Sequence, residues 1–200
     1  MKQLLDTQFD ALNICAEALA SGGVVALPTE TVYGLVTKWD CASGRERIYR
    51  LKHRPSSKRL QMLAPSLEAA LAAGVADLPA LRRLAARFWP GALTVVVPNA
   101  DRTDTIGLRI PDHPFVLKLL RQCNFVFAAT SANLSGMPPA INIHDAVSGL
   151  DGEPEVAVDG GVITVTGGQA STVISLLNDT PVMIREGAIK IGQIAAALGE

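Results

Sequence analysis

The chain has 200 residues, 48% apolar and 18% charged, a globular composition that excludes a disordered polymer and makes one domain the default. Its 18 Lys and Arg against 19 Asp and Glu leave a net charge of −1, so no global basic field draws in nucleic acid. No apolar run reaches the roughly 18–20 residues that cross a bilayer, and MKQLLDTQFDALN lacks the apolar stretch of a signal peptide, so a cytoplasmic protein with no membrane partner is expected.

Phe9, Leu12, Cys15, Ala16 and Leu19 recur at helical spacing and predict a helix over 8–21, ended by Gly22-Gly23. Val24 to Leu27 reads as a buried strand stopped by Pro28. A helix over 43–53 is closed by Pro55, because the residue before a proline avoids the helical region. A short strand over 61–64 and helices near 66–73 and 77–88 precede a break at Pro90-Gly91. Strands follow at Ala92–Val97 and Ile106–Ile110, then a helix over 115–122 begun near Asp112. Phe125 to Ala129 is a buried strand running into the polar loop TSANLSGMPP. A short helix near 143–149, strands at about 155–158, 172–176 and 181–185, and a helix over 189–198 complete the chain. Strands and helices alternate without a domain-sized linker or repeat, which predicts one α/β domain over 1–200 with a mixed, twisted sheet. The Gly- and Thr-rich stretch 159–171 is the longest expected flexible loop.

Familiar catalytic motifs are missing: no GxxxxGK[ST], no GxGxxG after a strand, no HExxH and no GxSxG. Cys15, Cys41 and Cys123 form no CxxC pair, and His53, His113 and His144 are scattered, so no metal site is expected. The charge distribution says more. Seven cations and one acid lie between Arg45 and Arg59, and no acid lies between Asp112 and Asp145. Such clustering reads either as a local anion site or as a solvated basic helix face.

Four polar clusters sit at predicted element ends. PTETVYGL (28–35) follows a buried strand, where α/β ligand crevices lie, though taken alone it reads first as a strand-to-helix turn capped by Thr. In LKHRP (51–55), Lys52 and Arg54 are two apart; in extended backbone they project to one side and can grip neighbouring phosphates. Arg109 interrupts the apolar strand GLRIP, so it either faces a cavity or forms a structural salt bridge. TSANLSG (130–136) brings hydroxyls, an amide and backbone N–H groups to a strand end, a means of holding an anion without net charge. Ser171 and Arg185 border later strands.

In order, PTETVYGL, LKHRP, WPGALT, GLRIPDHP, TSANLSGMPP, STV and IREG resemble the YrdC-like family of threonylcarbamoyl-AMP synthases, from about residue 8 to 187. The resemblance implies a twisted α/β sheet with flanking helices around a basic concave cavity. It implies a reaction of ATP, L-threonine and bicarbonate to threonylcarbamoyl-AMP and pyrophosphate, after which a separate threonylcarbamoyl-transferase modifies tRNA. Carried over by motif, Lys52, Arg54, Ser131, Asn133, Ser171 and Arg185 are the nucleotide-site residues, with Lys52 and Arg54 catalytic. Thr31, Tyr33 and Arg109 are the threonine-end residues, and Mg²⁺ accompanies ATP. The chemistry agrees: two anions must meet, cations neutralise them, and no nucleophilic side chain is needed.

The chain departs from the family pattern at Arg59 and Ala64, in KRLQMLA, and at Ala92 of WPGALT. Ending near residue 200, it is expected to be the short form. Three alternatives stand beside the synthase. A divergent paralogue lacks the asparagine that Asn133 supplies here. A carbamoyl-transfer module of hydrogenase maturation sits in much longer chains. An RNA-binding protein would bind weakly through the 45–59 cluster, with aromatics at only 4%.

Overall fold

A computed structural model describes residues 1–178 and 180–199. Among the described residues ten strands make one mixed sheet: β1 (Lys2–Leu5), β2 (Val25–Leu27), β3 (Gly34–Lys38), β4 (Gln61–Leu63), β5 (Leu93–Pro98), β6 (Thr105–Arg109), β7 (Phe127–Ser131), β8 (Val156–Asp159), β9 (Thr172–Ser175) and β10 (Val182–Arg185). Their order across the sheet is β1-β8-β2-β3-β7-β4-β6-β5-β9-β10. Seven helices flank it: α1 (Ala11–Ala20), α2 (Ala42–Leu51), α3 (Leu67–Ala72), α4 (Pro79–Phe88), α5 (Pro114–Cys123), α6 (Ile143–Ser148) and α7 (Ile191–Leu198). None of them is long and apolar enough to cross a membrane.

The helices start where the local chemistry supplies orphan N–H groups with acceptors or removes the need for one. Ser66 Oγ accepts from Ala69 N–H and Asn142 Oδ1 from Asp145 N–H, capping α3 and α6. Pro79 and Pro114 open α4 and α5 in the first turn, where a missing N–H costs nothing. α5 ends at Asn124 in the left-handed region, φ 55°.

Strand alternation then divides the sheet into layers. Leu93, Val95, Ile106, Leu108, Met62 and Ile174 point to one face, where they pack with Leu67 of α3, Leu81 and Leu84 of α4 and Ile194 of α7. Val24, Ala26, Leu35 and Ala128 extend that side beneath α2 and α6. The other face carries Val25, Leu27, Val36 and Phe127 under α1 and α5. That second helix pair covers the β1–β8–β2–β3–β7 side of its face, as far as Leu63 of β4.

Two strands are absent from the sequence reading. β1 runs parallel to β8 at the sheet edge with a single buried residue, Leu4, so its sequence holds no alternating pattern to detect. β3 corrects the reading of PTETVYGL. No helix follows the turn; instead the chain reverses into a strand antiparallel to β2, pairing Leu27 with Gly34. Thr29 accordingly caps a strand-to-strand turn: its Oγ1 accepts from Thr31 and Val32 N–H, both at 3.2 Å, and donates to Val32 O at 2.7 Å.

Candidate active site

A cavity of about 410 Å³ opens over the part of the sheet that α1 and α5 leave bare. Its floor follows from register. Val96 faces Gly107, Gln61 faces Ala129, and Thr94 faces Val173, all with the parity opposite to the core residues Val95, Leu108 and Met62. Arg109 shares that parity, which explains a cation inside an apolar strand. Five cations line the cavity, Arg54, Lys58, Arg59, Arg109 and Arg185, and no carboxylate side chain does. A larger groove of about 580 Å³ lies elsewhere, between Pro65, Ala69, Ala72 and Phe125, but its lining is mostly apolar and gathers no like charges. The smaller cavity is the better candidate on chemistry.

At one end, Arg109 is only 3% exposed. Its Nη2 donates to Thr31 Oγ1 at 2.8 Å and lies 2.7 Å from Glu30 Oε1, while Nε donates to Gly91 O at 3.3 Å. The contact with Glu30 is ionic and poorly aligned for a hydrogen bond, and Glu30 Oε2 has no hydrogen-bond partner among the described residues. Arg109 is thus both a structural ion-pair member and a cavity-lining group; the two readings of its sequence position coexist.

At the opposite wall a chain of polar groups holds Arg185. Its Nη2 donates to Ser171 O at 2.8 Å and to Ser171 Oγ at 3.3 Å. Ser171 Oγ lies 2.9 Å from Thr94 Oγ1, whose proton goes to Gln61 Oε1 at 3.0 Å. Burial, and then the Arg109 charge, push the Arg185 guanidinium below its ordinary value. Glu30 pairs with Arg109 but no carboxylate lines the cavity, so two like charges that influence each other there favour an anion between them.

Arg54 reaches the cavity from the turn after α2, donating from Nε to Lys58 O at 2.9 Å and from Nη2 to Arg59 O at 2.8 Å. Its neighbour Lys52 does not. The extended geometry that would put both side chains on one side is not formed: Lys52 has φ −102° and ψ −5°, and His53 adopts φ 47°. The left-handed residue between them turns Lys52 inward, where it is 1% exposed and its Nζ donates to the carbonyls of Ser131 and Asn133. Burial, and then the Arg54 charge, push its ammonium down to about 7.

The remaining expected residues divide similarly. Ser131 lines the cavity. Asn133 lies beside it, 9% exposed, with Nδ2 donating to Leu134 O and Met137 O at 2.7 and 2.8 Å. Thr31 is fully buried against Arg109. Tyr33 packs in the cluster with Val24, Leu35 and Ile48; it does not line the main cavity but borders a small pocket that shares Gln61, Arg109 and Ser131 with it. Its hydroxyl donates to Gly161 O at 2.7 Å and accepts from Gly160 N–H at 3.0 Å, so it pins the start of the 159–171 loop. Thr166 Oγ1 fastens the same loop to Thr31 O at 3.3 Å. The loop expected to be flexible is therefore tied at two points.

The basic run from Arg45 to Arg59 also splits. Arg47 pairs with Glu155 and Arg45 lies 5.5 Å over the Trp39 ring, so only Arg54, Lys58 and Arg59 belong to the cavity. Of the two departures from the family pattern, Arg59 lines the cavity and Ala64 is buried in the core. Sequence reasoning missed Gln61, Thr94 and Glu30. Period-2 parity would have found Thr94 among Leu93, Val95 and Val97; nothing local marks Gln61 or Glu30.

Comparison with known proteins shows the family. The chain is 37% identical over 205 residues to the threonylcarbamoyl-AMP synthase of Bacillus subtilis, covering 98% of this chain and 58% of that protein. It is 35% identical over 198 residues to the synthase of Pyrococcus abyssi, covering 94% of this chain and 57% of that one. The chain thus spans little more than half of either relative. The crystal structure of P. abyssi Sua5 complexed with L-threonine superposes with a TM-score of 0.89 at 33% identity, over 100% of this chain and 61% of that one. A model for Sua5, YciO and YrdC proteins, described as telomere recombination, matches residues 17–187, and the chain belongs to that family.

Proposed function

We propose that this chain is an L-threonylcarbamoyladenylate synthase, joining ATP, L-threonine and bicarbonate into threonylcarbamoyl-AMP with release of pyrophosphate. The observation that carries this reading is the cavity: five cations, no carboxylate, on the helix-free part of the sheet. Its relatives' names and the threonine complex of P. abyssi Sua5 support the substrate class.

The reaction has two anionic partners. Threonine's amine and bicarbonate give a carbamate with loss of water; a carbamate oxygen then attacks the α-phosphorus, and the bond to pyrophosphate breaks. Arg54, Lys58, Arg59 and Arg185 offset the phosphate charge, with Ser131 and Ser171 as hydroxyl donors. Arg109, already fixed by Glu30 and Thr31, presents its guanidinium to the threonine carboxylate. Closure of a bimolecular encounter into one cavity supplies much of the rate. Mg²⁺ arrives as the MgATP complex. The lining offers hydroxyls and carbonyls but no carboxylate, which fits a metal held by phosphate oxygens and water. The product would pass to a threonylcarbamoyl-transferase acting on tRNA, in the cytoplasm.

Purified protein incubated with MgATP, bicarbonate and labelled threonine should yield threonylcarbamoyl-AMP and pyrophosphate, dependent on all three substrates. Arg54→Ala should cut that activity at least tenfold with the fold retained. MgATP binding without product from the parent protein would overturn the synthase assignment.

A further inference from the structure

Lys52 is the most deeply buried cation in the protein, and no carboxylate pairs with it among the described residues. It is also absent from the cavity lining. Its partners are all main chain. Nζ donates to Ser131 O and to Asn133 O, and Lys52 O accepts from Ser135 N–H at 2.9 Å. One residue at the end of α2 therefore binds alternate peptides of the loop that begins at Ser131.

Peptide geometry makes this consequential. In a trans peptide the C=O and the following N–H point in opposite directions. With Ser131 O drawn to Lys52, Ala132 N–H is turned away and donates to Tyr33 O at 2.8 Å. With Asn133 O drawn in as well, Leu134 N–H is turned away too, and it meets no acceptor among the described residues. Asn133 Oδ1 is buried and likewise has no partner. Asn133 N–H also meets no acceptor among the described residues, so the loop holds two donors and one acceptor in reserve beside Ser131, and the Lys52 bonds set the direction of the Leu134 donor.

We infer that Lys52 is a positioning residue: it acts through the 131–135 loop, holding that loop's free polar groups in place for the nucleotide, and does not itself contact phosphate. A phosphate ligand at this position would have to abandon both carbonyls, leaving each unsatisfied in a buried setting. Arg54, two residues on, has the exposure to the cavity that Lys52 lacks. The inference rests on the reading that the cavity takes ATP.

Lys52→Met and Arg54→Ala, compared with the parent protein, separate the two roles. Three quantities are measured: amide exchange of peptides covering 131–137, the Kd for MgATP, and the change of that Kd with added salt. Positioning predicts at least tenfold faster exchange in Lys52→Met, at least tenfold weaker MgATP binding, and an unchanged salt dependence. Arg54→Ala, a lost phosphate contact, should keep the exchange rates and flatten the salt dependence, because exposed charge pairs are screened. Unaltered loop exchange in Lys52→Met with weakened binding, or a salt dependence flattened as in Arg54→Ala, would overturn the inference.

If Lys52→Met does not fold, the parent protein decides. Exchange across 131–137 should stay slow or slow further on MgATP saturation, whereas faster exchange would mean that Lys52 leaves the loop for the phosphates. A parent protein that binds no MgATP would retire the nucleotide reading itself, a result distinct from either loop outcome.

Discussion

Two buried cations, Arg109 and Lys52, are neutralised by different means. Arg109 meets a formal charge, Glu30, with a threonine hydroxyl and a glycine carbonyl completing its donors. Lys52 meets carbonyl dipoles alone. The first arrangement fixes a cation that remains partly available to a ligand at the cavity. The second keeps its cation out of the cavity and leaves it easy to deprotonate. Both side chains come from sequence motifs that look alike, a cation beside a polar cluster, yet only one of them faces the cavity.

Removing one partner of the Glu30–Arg109 pair should have the largest effect. Glu30→Gln is expected to lower the unfolding free energy by about 3–5 kcal/mol in urea denaturation, since a buried guanidinium is left without its carboxylate. The double variant Glu30→Gln/Arg109→Met should lose less than the sum of the single changes. Additive losses would remove the pair from the comparison.

The Lys52 arrangement is probed by pH. Its ammonium is pushed down to about 7 in the folded protein from an ordinary 10.5. Between those values the unfolded chain holds a proton that the folded protein has released, so stability rises with pH across the window. At its steepest the slope from this group is about 1.4 kcal/mol per pH unit. Difference curves between the parent protein and Lys52→Met should show that rise between pH 7 and 10 and be level below it. A level difference throughout would mean that the carbonyls hold the ammonium charged.

Tyr33→Phe should cost about 1–2 kcal/mol, because the hydroxyl that joins Gly160 N–H and Gly161 O is lost. Faster amide exchange at 160–161 would accompany it; an unchanged loop would return Tyr33 to simple core packing. Arg59→Ala should leave stability almost unchanged, since its Asp104 partner is exposed. Its effect belongs to ligand binding instead: MgATP affinity should fall at low salt and converge with the parent protein as salt rises.

Much of this arrangement was legible in the sequence. The apolar runs at Val24–Leu27 and Phe125–Ala129 located strands covered on both faces, because such burial leaves continuous apolar residues, and Ala92–Val97 was marked by its β-branched run. Arg109 stood out as a cation inside an apolar strand. β1 and β3 did not, since one is an edge strand with a single buried side chain and the other begins inside a polar motif. The divergence of Lys52 from Arg54 was hidden as well. It hangs on one left-handed residue, His53, and sequence spacing assumes a regular backbone. Glu30 was read as one more polar residue of its cluster, because its partner lies 79 positions away.

β10 places one wall of the site at the edge of the sheet. It is the last strand of the sheet, hydrogen-bonded to β9 alone, with a register irregularity between Met183 and Arg185 and with Val182 and Ile184 largely exposed. Arg185 therefore stands on an edge strand, while Arg109 stands on an interior one, β6. Edge segments of this kind open locally at a lower free energy than the core. An anion bridging the two guanidiniums would stitch the edge to the centre, so the fraying rate of residues 182–185 becomes a built-in gauge of whether the cavity is filled.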